Sequence, residues 1–231
     1  GFVSRGLGDV YKRQYLKFPI VSGNVSFYNQ TKDEGIKPTP TIGGVGLIKD
    51  YNKMITMDFK EIDNVVLVVG KTEGHLDQTL FARNILNEKN GPPPEINLFN
   101  EKNNGETLLK LIESNLIKSA HDVSLGGIIT AVAKMCIKGK KGINLNKPKY
   151  LINELEYFFG EDQGRYIIEV SKKDLKKVTD ILNKNAVHFD ELGTISENEL
   201  YIDDKTKVTI DELTSSNTKW LTDYMLSLIH I

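Results

Sequence analysis

From Ser22 to Tyr28 apolar and polar residues alternate with a period of two. In an extended chain Val25 and Phe27 would face one way, and Asn24, Ser26 and Tyr28 the other. One face can then pack while the other offers an amide oxygen and two hydroxyls to a ligand. The pattern predicts a strand over Lys17–Tyr28, a polar loop over Asn29–Lys37 and a Gly-punctuated strand over Thr41–Ile48. Val65–Val69 is a continuous apolar run ending at Gly70, the mark of a buried strand. His75–Leu86 suits a helix, with Leu76, Leu80 and Ile85 near one face, and Pro92-Pro93-Pro94 breaks the chain in a surface connection. A longer helix is predicted over Gly105–Leu116, through Leu108, Leu109, Leu111, Ile112 and Leu116. Lys118–Ser124 reads as extended, with Ser124 placed to cap a helix that carries Ile128, Ile129, Val132, Met135 and Cys136 and stops near Gly139. Tyr166–Val170 reads as strand, and Leu175, Val178, Ile181 and Leu182 mark another helix. Short strands and a last helix before Trp220 complete the reading. Strands alternating with helices predict an α/β (α+β) domain. The charged stretch Lys60–Asn64 before the apolar strand places a domain boundary between residues 60 and 61.

Composition narrows the class. The chain has 231 residues, a net charge of −1 and 26% charged residues, which is ordinary globular protein with no basic footprint for nucleic acid. It holds no apolar run long enough to span a bilayer. A single cysteine, Cys136, excludes an intrachain disulfide and points to a reducing cytoplasm. Both ends read as foreign. Leu226–Ile231 is the in-frame translation of a transposase-adapter end, and Asp9–Gln14 is the translation of its reverse complement. Residues 1–14 and 226–231 are therefore expected to be adapter sequence, and 15–225 the authentic piece.

Three stretches carry candidate chemistry. At Ser22–Asn29 the polar face could form a nucleotide, Mg²⁺ and substrate edge, since Mg²⁺ takes hard oxygen ligands and often only one or two from protein. The plain alternative is an edge strand with a wet face. Ser119–Gly127 could present His121 and Asp122 at a strand-to-helix turn whose helix N-terminus suits an anion. Alternatively, Asp122 and Ser124 simply cap the helix. Phe159–Tyr166 sets Glu161, Asp162, Gln163 and Arg165 on a turn before a strand. Arg165 could hold a phosphate through a bidentate contact, with Gln163 on the same face. It could equally belong to a solvated surface ion pair. His75 and His188 have no Cys or His partner at metal-ligand spacing, and Cys136 sits on an apolar helix face as core.

Taken in order, these stretches resemble the C-terminal part of phosphoribosylformylglycinamidine synthase. Ser22–Asn29 is similar to that family's GGNVSLYNE signature and Pro38–Leu47 to its PTPxIGxVGL strand. Ser119–Gly127 is similar to SAHDVSxGGL and Phe159–Tyr166 to FGExQSRY. The resemblance covers residues 15–225. It implies a PurM-like C-terminal domain (61–225) preceded by the last strands of a PurM-like N-terminal domain (15–60). It further implies a ligase that converts formylglycinamide ribonucleotide, ATP and glutamine-derived ammonia into formylglycinamidine ribonucleotide, ADP and phosphate in purine biosynthesis. Carried over by motif position, Gly23 touches ATP, Asn24 binds Mg²⁺ and Ser26 contacts substrate. Asp122, Glu161, Gln163 and Arg165 would frame an auxiliary nucleotide or phosphate site.

The departures are Ser22 for the family's first Gly, Gln30 for its Glu and Gly164 for its Ser. The family's catalytic histidines belong to an upstream half, so no catalytic residue is expected here and this piece alone should be inactive. Expected partners are that N-terminal half, a glutaminase subunit or domain and a small accessory subunit, in a cytoplasmic enzyme. Two other readings compete: a non-catalytic half that completes a pseudodimer and docks a partner, and another PurM-like ATP enzyme. The GNVSxYN run followed by Pro38-Thr39-Pro40 speaks against the latter.

Overall fold

Five consecutive apolar residues, Val65–Val69, can all be buried only if both faces of their strand are covered, and this requirement organises the fold. The computed structural model describes residues 14–19, 21–23, 30–35, 41–146, 152–202 and 206–229. The chain divides after Asn52 into two compact units. In the first, β1 (Gln30–Thr31) and β2 (Glu34–Gly35) form an exposed antiparallel hairpin. The second unit runs β3 (Val65–Val69), α1 (Leu80–Asn84), α2 (Leu98–Glu113), β4 (Ser119–Asp122), α3 (Gly127–Gly139), β5 (Gly142–Leu145), α4 (Glu154–Phe159) and β6 (Tyr166–Val170). It continues through α5 (Leu175–Lys184), β7 (Phe189–Ser196), β8 (Glu199–Ile202), β9 (Thr206–Thr209) and α6 (Ile210–Ile229). Seven of these strands form one sheet in the order β4-β6-β3-β7-β5-β8-β9. All its pairings are antiparallel except β5 with β8.

The alternation along β3 assigns its side chains to two cores. Val66 and Val68 pack with Ile167, Leu192, Val132, Met135 and Tyr157, on the face covered by α3 and α4. Val65, Leu67 and Val69 pack with Ile168, Val170, Leu108, Leu111, Val178 and Leu182, on the face covered by α2 and α5. Within α2 the core is reached at Leu108 and Leu111, and within α5 at Val178 and Leu182, the spacings at which a helix returns to one face. Cys136 is fully buried in the first core, as its position on an apolar face predicts, and burial pushes its thiol up to about 12.

Leu111 has no exposed surface, whereas its helical neighbour Leu109 is 58% exposed. Leu111→Ala is therefore expected to cost about 2–5 kcal/mol in urea denaturation through lost burial and a cavity. Leu109→Ala should stay within about 0.5 kcal/mol. Equal costs would contradict the two-sided core.

Several expected elements differ. The helix predicted over His75–Leu86 forms only at Leu80–Asn84, because the backbone of His75 is tied to another loop and Gln78 turns at φ +63°. The helix predicted from Gly105 begins earlier, at Leu98, because the Asn97 side chain accepts from the Asn100 N–H and caps it. Ser124 does not cap α3 with its side chain. Gly126 (φ +87°) occupies the cap position, and the Ser124 carbonyl accepts from Gly127 N at 3.0 Å. The strand predicted over Thr41–Ile48 pairs with no strand among the described residues and leaves Val45 and Leu47 exposed. An extended segment without a ladder partner gains no strand hydrogen bonds. Of Lys17–Tyr28, positions 20 and 24–28 lie outside the described residues, and 21–23 form no strand. The last helix runs through Trp220 to Ile229 instead of ending before it.

Candidate functional site

The turn from Gly160 to Arg165, between α4 and β6, gathers the loops at one end of the sheet. Glu161 is its first connector. One carboxylate oxygen accepts from Leu80 N (2.9 Å) at the start of α1 and from Gly126 N (2.8 Å) at the start of α3. A single acid thus satisfies free donors at two helix N-termini, where negative charge is also favoured. Asp162 is the second connector. Its carboxylate accepts from three successive backbone N–H groups, Glu73 (3.1 Å), Gly74 (3.0 Å) and His75 (3.1 Å). This capture holds the loop after β3, and the Glu161 N–H reinforces it by donating to the His75 carbonyl.

Arg165 completes the hub from inside. Its side chain is wholly buried and donates to the carbonyls of Asp162 (3.1 Å) and Gly160 (2.7 Å) and to Thr72 Oγ1 (3.1 Å). The Asp162 carboxylate lies 3.5 Å from the same guanidinium. Neither reading of this turn foresaw such an arrangement. It is not a solvated surface ion pair, and the guanidinium points into the protein. The backbone joins in, because Val123 N donates to the Arg165 carbonyl and Asn104 Nδ2 to the Gly164 carbonyl, each at 2.9 Å.

Around this hub lie two adjoining clefts. One, of about 300 Å³, brings together Asp122, Glu161, Gln163 and Arg165, all four residues singled out for an auxiliary site, and adds Glu101 and Tyr166. The other, of about 530 Å³, shares Glu101 and Gln163 and is extended by Lys71, His75 and Asn100. Burial holds the Glu101 carboxyl above the usual carboxylate range. Burial raises the Tyr166 phenol too, and the charges of Glu101 and Asp122 push it the same way. His121 is lowered by burial despite the opposing pull of Asp122, whose carboxylate lies 3.2 Å from Nδ1. Its Nε2 is buried without a hydrogen-bond partner among the described residues. With Glu161, Asp162 and Arg165 engaged in the fold, the polar side chains lining the smaller cleft that can meet a ligand are Glu101, Asp122, Ser124, Gln163 and Tyr166.

Gly23 lies in the described residues of the first unit, is exposed, and has open space where a Cβ would stand. Asn24 and Ser26 lie outside the described residues. The described residues contain no group of three or more His, Cys, Asp or Glu side chains able to hold a metal. No described helix is long and apolar enough to cross a membrane. Sequence reading missed Glu101 as a wall of both clefts. Its only signal was an acid in the first turn of a helix predicted to start later.

Comparison with known proteins places this geometry. The chain is 74% identical over 221 residues to phosphoribosylformylglycinamidine synthase subunit PurL of Pelagibacter ubique, covering 96% of this chain and 30% of that protein. It is 39% identical over 221 residues to the subunit of the same name from Bartonella henselae, again covering 30% of the relative. The chain thus spans about 30% of the length of the curated relatives it matches. Among solved structures, Thermotoga maritima PurL complexed with FGAR matches with a TM-score of 0.61 at 18% identity, over 71% of this chain and 30% of that one. The ATP complex of the same protein matches with a TM-score of 0.55 at 16% identity, over 71% of this chain and 28% of that one. At these identities the likeness is one of fold. The family model described as AIR synthase related protein, C-terminal domain, matches residues 61–205, and the chain therefore belongs to that family.

Proposed function

We propose that the chain is the C-terminal piece of a phosphoribosylformylglycinamidine synthase, with the end of the second PurM-like N-terminal domain at 15–60 and the PurM-like C-terminal domain at 61–225. The observation that carries this reading is the 74% identity to the Pelagibacter subunit over 96% of the chain. In the complete enzyme, formylglycinamide ribonucleotide would be activated at its amide oxygen by ATP, since that oxygen is a poor leaving group, and ammonia would displace the resulting phosphate. Positioning and charge neutralisation dominate catalysis of such a transfer. Gly23 would let the nucleotide approach the backbone, Asn24 would hold Mg²⁺ through its carboxamide oxygen, and Ser26 would contact substrate. Bound there, Mg²⁺ supplies neutralisation of phosphate charge. The partners are the upstream half of the same enzyme and a source of ammonia, in the form of a glutaminase subunit or domain.

The test is a chimera in which residues 15–225 replace the matching segment of the Pelagibacter subunit, assayed for formylglycinamidine ribonucleotide formation. Activity within about tenfold of the parent is expected, since loosened geometry at such sites costs about 10–100-fold. A folded but inactive chimera would overturn the reading. In the same chimera Asn24→Ala should lower activity about 100-fold or more and raise the Mg²⁺ concentration needed for half-maximal rate. An unchanged Mg²⁺ dependence would remove Asn24 from the metal site.

A second reading is favoured by the hub itself. Glu161, Asp162 and Arg165 hold loops together, which suits a domain whose task is to complete a pseudodimer and dock a partner. Within either reading, the cleft framed by Asp122, Glu161, Gln163 and Arg165 is an auxiliary nucleotide or phosphate site.

A further inference from the structure

We infer that Glu101 weakens anion binding in the smaller cleft, because its carboxylate occupies the space that a side chain at position 164 would fill. This rests on reading that cleft as an auxiliary nucleotide site and specifies which residue governs it. Gly164 stands where the family pattern has a serine, and two features of the structure favour the glycine. Its φ is +65°, a conformation that β-carbon-bearing residues rarely adopt. A Cβ built on it would also displace the Glu101 carboxylate, the end of a flexible side chain, and touch Glu101 Cα at an ordinary 3.5 Å. The first two turns of α2 are therefore seated on the turn, through Glu101 and through Asn104 Nδ2, which donates to the Gly164 carbonyl at 2.9 Å.

The consequence is electrostatic. Glu101 borders both clefts. Arg165, the cation expected to receive a phosphate, turns its guanidinium inward to Gly160, Asp162 and Thr72. Among the described residues the smaller cleft then presents Glu101 and Asp122 with no cation on its lining but the inward-turned Arg165, and both act on Tyr166. A phosphate entering beside Gly164 meets a half-buried carboxylate where the family's serine would offer a hydroxyl donor. Like charges in a cleft of reduced dielectric repel strongly. Glu101 is thus a specificity-determining residue that weakens anion binding at this copy of the site.

The experiment measures binding of ADP and of inorganic phosphate by calorimetry to the chain and to Glu101→Gln, Glu101→Ala and Glu101→Ala/Gly164→Ser. Each variant is also unfolded in urea beside Gly164→Ser alone. ADP affinity is expected to rise by about tenfold or more in Glu101→Gln and Glu101→Ala, as removal of one nearby charge predicts. Gly164→Ser alone should be destabilised, and part of that loss should be recovered in the double variant, as contacting residues show in a mutant cycle. Equal, measurable ADP affinity in the chain and in both Glu101 variants would overturn the role of Glu101 while leaving the site in place. No ADP binding by any variant, with the Glu101–Gly164 coupling intact, would remove the site itself. Additive stabilities would show that the two residues are not interlocked and would overturn the inference.

Discussion

Replacing Glu169 by alanine is expected to lower the unfolding free energy of the second unit by about 3–5 kcal/mol. Glu169 is fully buried in β6, beside Val66 on one neighbouring strand and Ser119 on the other. Its two oxygens accept four hydrogen bonds: Lys60 N (2.8 Å), Glu61 N (3.0 Å), Asn64 Nδ2 (2.7 Å) and Ser119 Oγ (3.0 Å). Alanine would leave all four donors without their acceptor, two of them on buried side chains. Each unsatisfied buried donor costs about 1–3 kcal/mol, while the partly wet backbone groups of Lys60 and Glu61 recover water. Glu169→Gln keeps one oxygen, and the Ser119 hydroxyl can turn to accept. Its cost should fall to about 1–3 kcal/mol, mainly from the amide facing the Lys60 N–H. Urea denaturation of the two variants provides the measurement, and equal, negligible effects would show that the 60–64 segment is not fastened through Glu169.

The second large effect is expected at Arg165. Arg165→Met should destabilise by about 3–5 kcal/mol, because it strips a buried carboxylate of its cation and leaves two buried carbonyls without a donor. Arg165→Lys should not restore the loss, since one compact ammonium on a flexible stem cannot reach acceptors arranged for a planar fork. If Arg165 were instead an exposed phosphate ligand, both substitutions would change stability by no more than about 0.5 kcal/mol. Guanidinium chloride unfolding separates the two cases, and a near-neutral Arg165→Met would break the hub described above.

Much of the fold was legible because its signals are local and repetitive. Val65–Val69 announces a strand covered on both faces. The spacing of Leu108 with Leu111, and of Val178 with Leu182, announces helices that present one side to a core. Cys136 on an apolar helix face reads correctly as core. Legibility fails where a segment's conformation is set by a partner distant in sequence. His75–Gln78 has helical spacing, yet the carboxylate of Asp162 takes its backbone donor. Ser124 is a good cap by type, yet Glu161 supplies the acceptor from another loop. Thr41–Ile48 has strand composition, yet strands need partners that no local pattern supplies.

The four residues chosen for an auxiliary site do converge on one cleft, because short motifs at the ends of adjacent strands β4 and β6 are brought together by strand pairing. Their individual roles were not readable. An arginine in a polar turn has the same sequence signature whether it faces water or protein, and burial alone separates a ligand-binding guanidinium from a structural one. Glu101 and Glu169 were overlooked for the same reason. A lone acid in a helix or a strand carries no mark of the donors that surround it.

By itself the sequence determined the mixed α/β class, the two-faced central strand, the core positions of the main helices and the motifs that resemble an ATP-dependent amidotransferase. These follow from periodicity and from residue type, which act over a few positions. Only the tertiary structure decided which polar groups are free to meet a ligand. Contacts such as Glu169 with Lys60 and Asp162 with Gly74 join positions far apart in the chain. Whether a charge is left for chemistry depends on the donors and acceptors that folding carries to it.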